Sequence, residues 1–161
     1  MGAMPDDVAD LLDKALVCEL TVIDNRGRLH TDPLIPLWDG SRILMTSSIL
    51  FSRKLERIKA NPKVSVSLSD PVGIPREPFL RATIQGDARV LDGDLHRDWY
   101  RRTFDLWVEK EPVVRKLLRF RFALPLFWER SVIEIEPRRV IRWRDGDTAR
   151  RPDVFELETA S

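Results

Sequence analysis

Met45-Thr46-Ser47-Ser48-Ile49-Leu50-Phe51-Ser52-Arg53-Lys54-Leu55-Glu56-Arg57-Ile58-Lys59-Ala60-Asn61-Pro62-Lys63-Val64-Ser65 changes periodicity twice. Ile43 to Thr46 is β-prone, and Phe51, Leu55 and Ile58 then recur at helical spacing, which predicts a helix over Ser52 to Ala60. Asn61-Pro62 ends it, because proline disfavours α geometry in the residue before it. Val64-Ser65-Val66-Ser67-Leu68 alternates at period two and reads as the next strand. Where strand passes into helix, the hydroxyls of Thr46, Ser47, Ser48 and Ser52, the cations Arg53 and Lys54, and the amides of a helix N-terminus gather. That is the outline of a phosphate site. The alternative is that Ser52 caps the helix while Arg53 and Lys54 extend into solvent.

Upstream, Val8, Leu11, Leu12, Ala15 and Leu16 form one apolar helical face behind an acidic first turn. Val17 to Ile23 and Leu29 to Leu37 read as a hairpin around Asp24-Asn25-Arg26-Gly27, with Pro33 and Pro36 marking the second strand as an edge or a bulged stretch. With Ile43 to Thr46 they predict a three-stranded meander. Downstream, Ser69 to Pro78 is a loop, and Phe79 to Leu91 is a long strand with Gly86 as a bulge candidate. Helices follow through Leu95, Trp99, Thr103, Leu106 and Trp107, and from Pro112 to about Leu118; strands return at Val132 to Glu136 and Arg139 to Trp143. About seven mostly antiparallel strands with short helices predict an α+β, barrel-like fold.

The length of 161 residues, 33% charged and 43% hydrophobic, suits one globular domain. Met1 to Ala3 read as a cloning scar before a native start at Met4, residues 4–145 as the single domain, and 146–161 as a loosely held tail. A net charge of +1 gives no global field for nucleic acid or an acidic membrane. The longest apolar run, Ala123 to Trp128, is far short of the roughly 20 residues of a membrane span. With no secretory signal and the single cysteine Cys18 in an apolar run, a cytoplasmic protein is expected. His30 and His96 stand apart without a ligand pattern, so no metal site is expected. Neither a nucleophile elbow nor a Gly-rich dinucleotide loop is present.

The opening stretch resembles the core motif of the pyridoxamine 5'-phosphate oxidase-like, FMN-binding split β-barrel superfamily. There a Thr-bearing strand leads through Ser-Arg-Lys to an Asn-Pro-(Arg/Lys)-Val-Ser strand start. Arg81-Ala82-Thr83-Ile84-Gln85-Gly86-Asp87-Ala88 resembles the family's next long strand. The resemblance implies an antiparallel split barrel with short flanking helices, assembled as an obligate-type homodimer with two cofactor sites at the subunit interface. It places Thr46, Arg53 and Lys54 on the cofactor's phosphate with Ser52 beside them and Ser47 and Ser48 as further donors. It lays Pro36, Leu37 and Trp38 along the ring. Arg81 falls where the oxidases carry a glutamine near the flavin, which is a departure.

A second departure lies at the end of the chain. Nothing after Arg144 matches the Trp and Arg-Leu close of the pyridoxal-phosphate-making oxidases. Val132 to Trp143, containing Ile-Glu-Pro-Arg-Arg-Val, instead resembles the strand-turn-strand close of the actinobacterial branch that uses coenzyme F-420, an 8-hydroxy-5-deazaflavin. That coenzyme carries an oligoglutamate tail, and nine Arg or Lys against three Glu between Val113 and Arg144 offer it partners, unless acidic neighbours in the fold balance them. Trp99, Trp107, Phe120, Phe122, Phe127 and Trp128 are open to three readings: dimer core, substrate lid or membrane-touching surface. The expected function is therefore an oxidoreductase that moves a hydride from reduced F-420 to a small unsaturated organic substrate, with no catalytic acid assigned. An FMN-dependent oxidase or reductase, and a non-catalytic flavin, deazaflavin or haem binder, are the alternatives.

Overall fold

A computed structural model describes residues 2–48, 52–92, 98–117 and 130–158, with the side chains of residues 98–100, 115 and 117 left aside. The chain runs α1 (Asp6–Lys14), β1 (Cys18–Ile23), β2 (Leu29–Leu34), β3 (Leu37–Trp38), β4 (Ile43–Ser48) and α2 (Arg53–Ala60). It continues through β5 (Lys63–Leu68), β6 (Arg81–Leu91), α3 (Asp98–Lys110), α4 (Val113–Leu117), β7 (Arg130–Trp143) and β8 (Asp153–Glu156). Eight strands join one antiparallel sheet in the order β2-β1-β5-β6-β7-β4-β3, with β8 also on β7. The sheet curls into the antiparallel split barrel, because alternate residues of β1, β4, β5, β6 and β7 all point into one apolar core. Leu20, Val22, Ile43, Met45, Val66, Ile84, Ile133 and Ile135 are fully buried there, and Val8, Leu11 and Leu12 of α1 close it.

Hairpin, edge and bulge follow the sequence reading. Asp24 Oδ1 accepts the amides of Arg26 and Arg28 at 2.8 and 3.0 Å, and Gly27 takes a φ of 75° that a side chain would resist. Pro33 lies in β2, an edge strand whose outer side needs no donor. The β6–β7 register shifts at Gln85/Gly86, and a Cβ on Gly86 would stand 2.4 Å from the Glu136 carbonyl oxygen.

Three expectations are corrected. The meander does not form: Pro36, which has no amide hydrogen, separates β2 from the two-residue β3, and β4 pairs with β7 over Ile43↔Ile135 to Ser48↔Arg130. The strand-turn-strand close is one continuous strand, since Pro137 falls at the bulge opposite Gly86 rather than in a turn. Residues 146–158 of the expected tail are held in place. Asp153–Glu156 pairs with Arg139–Arg142, Leu157 enters the core, and Gly2 exchanges backbone hydrogen bonds with Glu156 and Glu158. Alternation in that short strand, Val154 out and Leu157 in, supplies the burial that its polar composition conceals.

A second apolar cluster, Leu37, Leu44, Trp107, Val108, Val114 and Val132, fastens α3 and α4 to β3, β4 and β7. Lys110 at the end of α3 donates to the carbonyl of Leu12 at 2.6 Å and to that of Pro36. Its burial pushes the ammonium down to about 8. The expectations for Leu95, His96 and residues 118–129, and the side chain of Trp99, fall outside what the structure describes.

Candidate functional site

β4 delivers Thr46, Ser47 and Ser48 to the edge of the barrel, and α2 begins beside them with Ser52 as its N-cap. Alternation along β4 turns Ser47 inward and leaves Ser48 exposed. The Ser52 hydroxyl does not cap the helix; it shares a hydrogen bond of 3.0 Å with the Ser47 hydroxyl, tying strand end to helix start. A helix with an N-terminus free of side-chain caps keeps its amides and the positive end of its dipole for another acceptor.

These groups line a cleft of about 450 Å³ together with Asp32, Leu34, Arg53, Lys54, Arg57 and Arg130. Lys54 Nζ lies 3.6 Å from Asp32 Oδ2, and Arg130 Nη1 donates to Thr46 Oγ1 at 3.0 Å. Among the described residues, four cations against one carboxylate give the lining a strong positive excess, in a chain whose net charge is +1. Backbone amides, hydroxyls and guanidinium forks are the donor set that binds phosphate, each charge-assisted bond contributing about 1.5–3 kcal/mol. The volume exceeds that of a single phosphate and falls in the small-molecule range of about 300–1,000 Å³.

Six of the ten residues expected on the cofactor thus share one cleft: Thr46, Ser47, Ser48, Ser52, Arg53 and Lys54. The other four lie elsewhere. Pro36 and Leu37 are buried, and Leu37 packs in the second cluster. Trp38 lines a different cleft, of about 310 Å³, with Met4, Ser41, Glu136 and Pro137. Arg81 pairs with Trp143 at one end of the β6–β7 ladder, whereas Leu91 and Val132 mark the end nearest Thr46. At ~3.3 Å per residue the two ends are about 33 Å apart along the strand. Arg81 stacks on Phe79 at 5.6 Å, and its buried Nε has no hydrogen-bond partner.

Asp32, Leu34, Arg57 and Arg130 belong to the cleft without having been singled out for it. Arg57 had a signal: it follows Arg53 by four residues, on the same helix face. Arg130 had a weaker one, as one of the nine basic residues offered to the anionic tail; Asp32 and Leu34 had none, because strands far apart in the chain bring them in. The basic stretch 113–144 does not stay together. Arg138 pairs with Asp87 and Glu136, Arg139 with Glu156, Arg142 with Asp7 and Asp153, and Arg144 with Asp153. Of its described side chains only Arg130 reaches the cleft. Among the described residues no group of three or more His, Cys, Asp or Glu could hold a metal ion, and no helix is long and apolar enough to cross a membrane.

No protein-family model matches the chain, and no curated protein matches its sequence. Solved structures do match. A pyridoxamine 5'-phosphate oxidase-related, FMN-binding protein of Nostoc punctiforme is 13% identical over 98% of this chain and 98% of that one, with a TM-score of 0.63. An F-420 reductase is 20% identical over 85% of this chain and 98% of its own, at 0.58. A haem-binding protein of Mycobacterium smegmatis is 14% identical over 96% of this chain and 60% of its own, at 0.63. At these identities the likeness is one of fold.

Proposed function

From this shared split-barrel fold, we propose that the chain is an oxidoreductase that binds coenzyme F-420 and passes a hydride to a small unsaturated organic substrate. The observation that carries the reading is the single cleft into which Thr46, Ser47, Ser48, Ser52, Arg53 and Lys54 converge. Its donor set fits the coenzyme's phosphate. Arg53 and Lys54 supply charge, Thr46 and the linked Ser47–Ser52 pair supply hydroxyls, and Asp32 orients Lys54. When bound, the deazaflavin supplies the hydride from its reduced ring carbon. The protein's part is to hold the ring against the substrate and to keep water out. Asp32 is the single carboxylate among the described lining residues and is engaged with Lys54, so no proton donor is assigned.

The same reading makes the protein a cytoplasmic homodimer with a site at each end of the interface. The outer face of the sheet suits such pairing: Leu29 is 68% and Val154 47% exposed, and a groove of about 420 Å³ runs between Thr21, Ile23, Leu29, Ser65 and Gln85. Arg81, remote from the cleft of its own chain, would then serve the other protomer's cofactor. FMN is the second reading, because its phosphate monoester suits the same donors. A non-catalytic flavin, deazaflavin or haem carrier is the third, supported by the haem-binding protein that shares this fold.

Titration of the purified protein with each cofactor tests the order. F-420 should saturate, and its reduced form should be consumed with unsaturated acceptors. Low-micromolar FMN binding without saturation by the deazaflavin overturns it in favour of FMN; saturation by F-420 with no turnover on any acceptor leaves a carrier.

A further inference from the structure

Arg130 opens β7 directly opposite Ser48 of β4, and it reaches the cleft from the wall facing α2. The other three lining cations, Arg53, Lys54 and Arg57, all come from α2. Besides its bond to Thr46, the Arg130 guanidinium lies 4.7 Å from the centroid of the Trp107 ring. Arg130 and Trp107 also line, with Thr46, Thr103, Phe104 and Val132, one small cavity of about 10 Å³. The indole is itself held: it is 9% exposed, packs in the second apolar cluster, and donates from Nε1 to Glu111 Oε2 at 3.2 Å.

A guanidinium laid on an aromatic face keeps its N–H edges in a fixed plane and loses less rotamer freedom when it grips an anion in that plane. We propose that Arg130 orients the bound anion from the β7 wall, and that Trp107 of α3 is the positioning residue that holds Arg130 in the geometry to do so. This rests on the anion-binding reading of the cleft. It adds that α3, which supplies none of the cleft's described lining, sets how the anion is held.

The test is calorimetric titration with inorganic pyrophosphate of the wild type, Trp107→Phe, Trp107→Leu, Arg130→Lys and the double variant Arg53→Ala/Lys54→Ala, with melting temperatures alongside. Trp107→Phe keeps a ring under the guanidinium and should bind within twofold of wild type. Trp107→Leu keeps apolar volume without the ring and should lose about threefold to tenfold, as should Arg130→Lys, which keeps the charge without the planar fork. Both Trp107 variants should melt lower by similar amounts, so a merely structural role predicts equal affinities for the two. Equal affinity in Phe and Leu, or wild-type affinity in Arg130→Lys, overturns the proposal while leaving the anion cleft intact. Failure of wild-type protein to bind, or wild-type binding by the double variant, overturns the anion-binding reading and this inference with it.

Discussion

At one end of β7, Arg130 shares a cleft with Arg53, Lys54 and Arg57, and Asp32 is the carboxylate among the lining residues. At the other end, Arg138 meets Asp87 at 3.0 Å and Glu136 at 3.1 Å, Arg139 meets Glu156 at 3.1 Å, and Arg144 meets Asp153 at 2.9 Å. Arg142, 9% exposed, is held by both oxygens of Asp7 at 2.8 Å and by Asp153 at 2.7 Å, and it lies 4.8 Å from the Phe155 ring. Two arginine-rich ends of one strand therefore differ in kind. The first gathers cations on one cleft wall, with Asp32 as the carboxylate among the described lining residues; the second joins α1, β7 and β8 through ion pairs. Counting cations along the chain cannot separate them, because the acids that neutralise the second set arrive from residues 7, 87 and 153–156.

If that contrast is right, substitutions at the two ends should move different quantities. The largest effect belongs to Arg142→Met, which leaves two carboxylates without their shared partner. It should cost about 2–3 kcal/mol and lower Tm by roughly 5–10 °C, with cofactor affinity unchanged within twofold. Calorimetric melting beside ligand titration checks it. The acid limb should change as well. Hydrogen bonds from Arg142 and then Arg144 hold the Asp153 carboxyl below its ordinary value of 3.8, so its contribution is present above that pH and is lost as pH falls through the lowered value. In Arg142→Met, Tm should fall less steeply than in wild type between pH 4 and pH 2.

Next comes Arg53→Ala with Lys54→Ala, which should weaken cofactor binding at least tenfold, about 1.4 kcal/mol, while the ligand-free protein melts within about 1 °C of wild type. A large drop in Tm would place these side chains with the paired set rather than the surplus one.

Lys110 sharpens the rule from a third position, since its hydrogen bonds end on the carbonyls of Leu12 and Pro36 rather than on carboxylates. Burial first, opposed by the charges of Asp13 and Glu111, brings it down to about 8 from an ordinary 10.5. A lowered folded value means that the unfolded chain holds more protons between those limits, so this group adds stability as pH rises from 8 toward 10. The difference in denaturant stability between wild type and Lys110→Met should grow over that window by up to about 1 kcal/mol per pH unit, whatever the buried Cys18 thiol adds with the opposite sign in both. The smallest effect is expected for Arg57→Ala, about a threefold loss of cofactor affinity at low salt that fades as ionic strength rises.

Much of this was legible locally. The amphipathic spacing of α1 and α2, the Asp24–Gly27 turn, the edge character of a proline-bearing strand and the bulge at Gly86 each follow from residues within a few positions of one another. The six hydroxyl and basic residues of the cleft were legible for the same reason, since they lie between Thr46 and Lys54. Where the reading went astray, a distant partner decided the outcome. Pairing of β4 with β7 replaced the meander, and Gly86 opposite Pro137 made a bulge where a turn was expected. Arg139 to Arg142 recruited a tail that looked too polar to order.

The amino-acid sequence alone determined the strand-to-helix corner and the hydroxyls and cations gathered on it, because short-range sterics, hydrogen-bonding side chains and helical periodicity act within one or two turns of chain. Only the tertiary structure decided which arginines line the cleft and which pair with acids across the sheet. Strand register set Ser48 against Arg130 and Arg142 against Asp153, and α3 brought Trp107 beneath Arg130. Charge compensation depends on distances of a few ångströms between residues up to 135 positions apart, and only the folded sheet creates those distances.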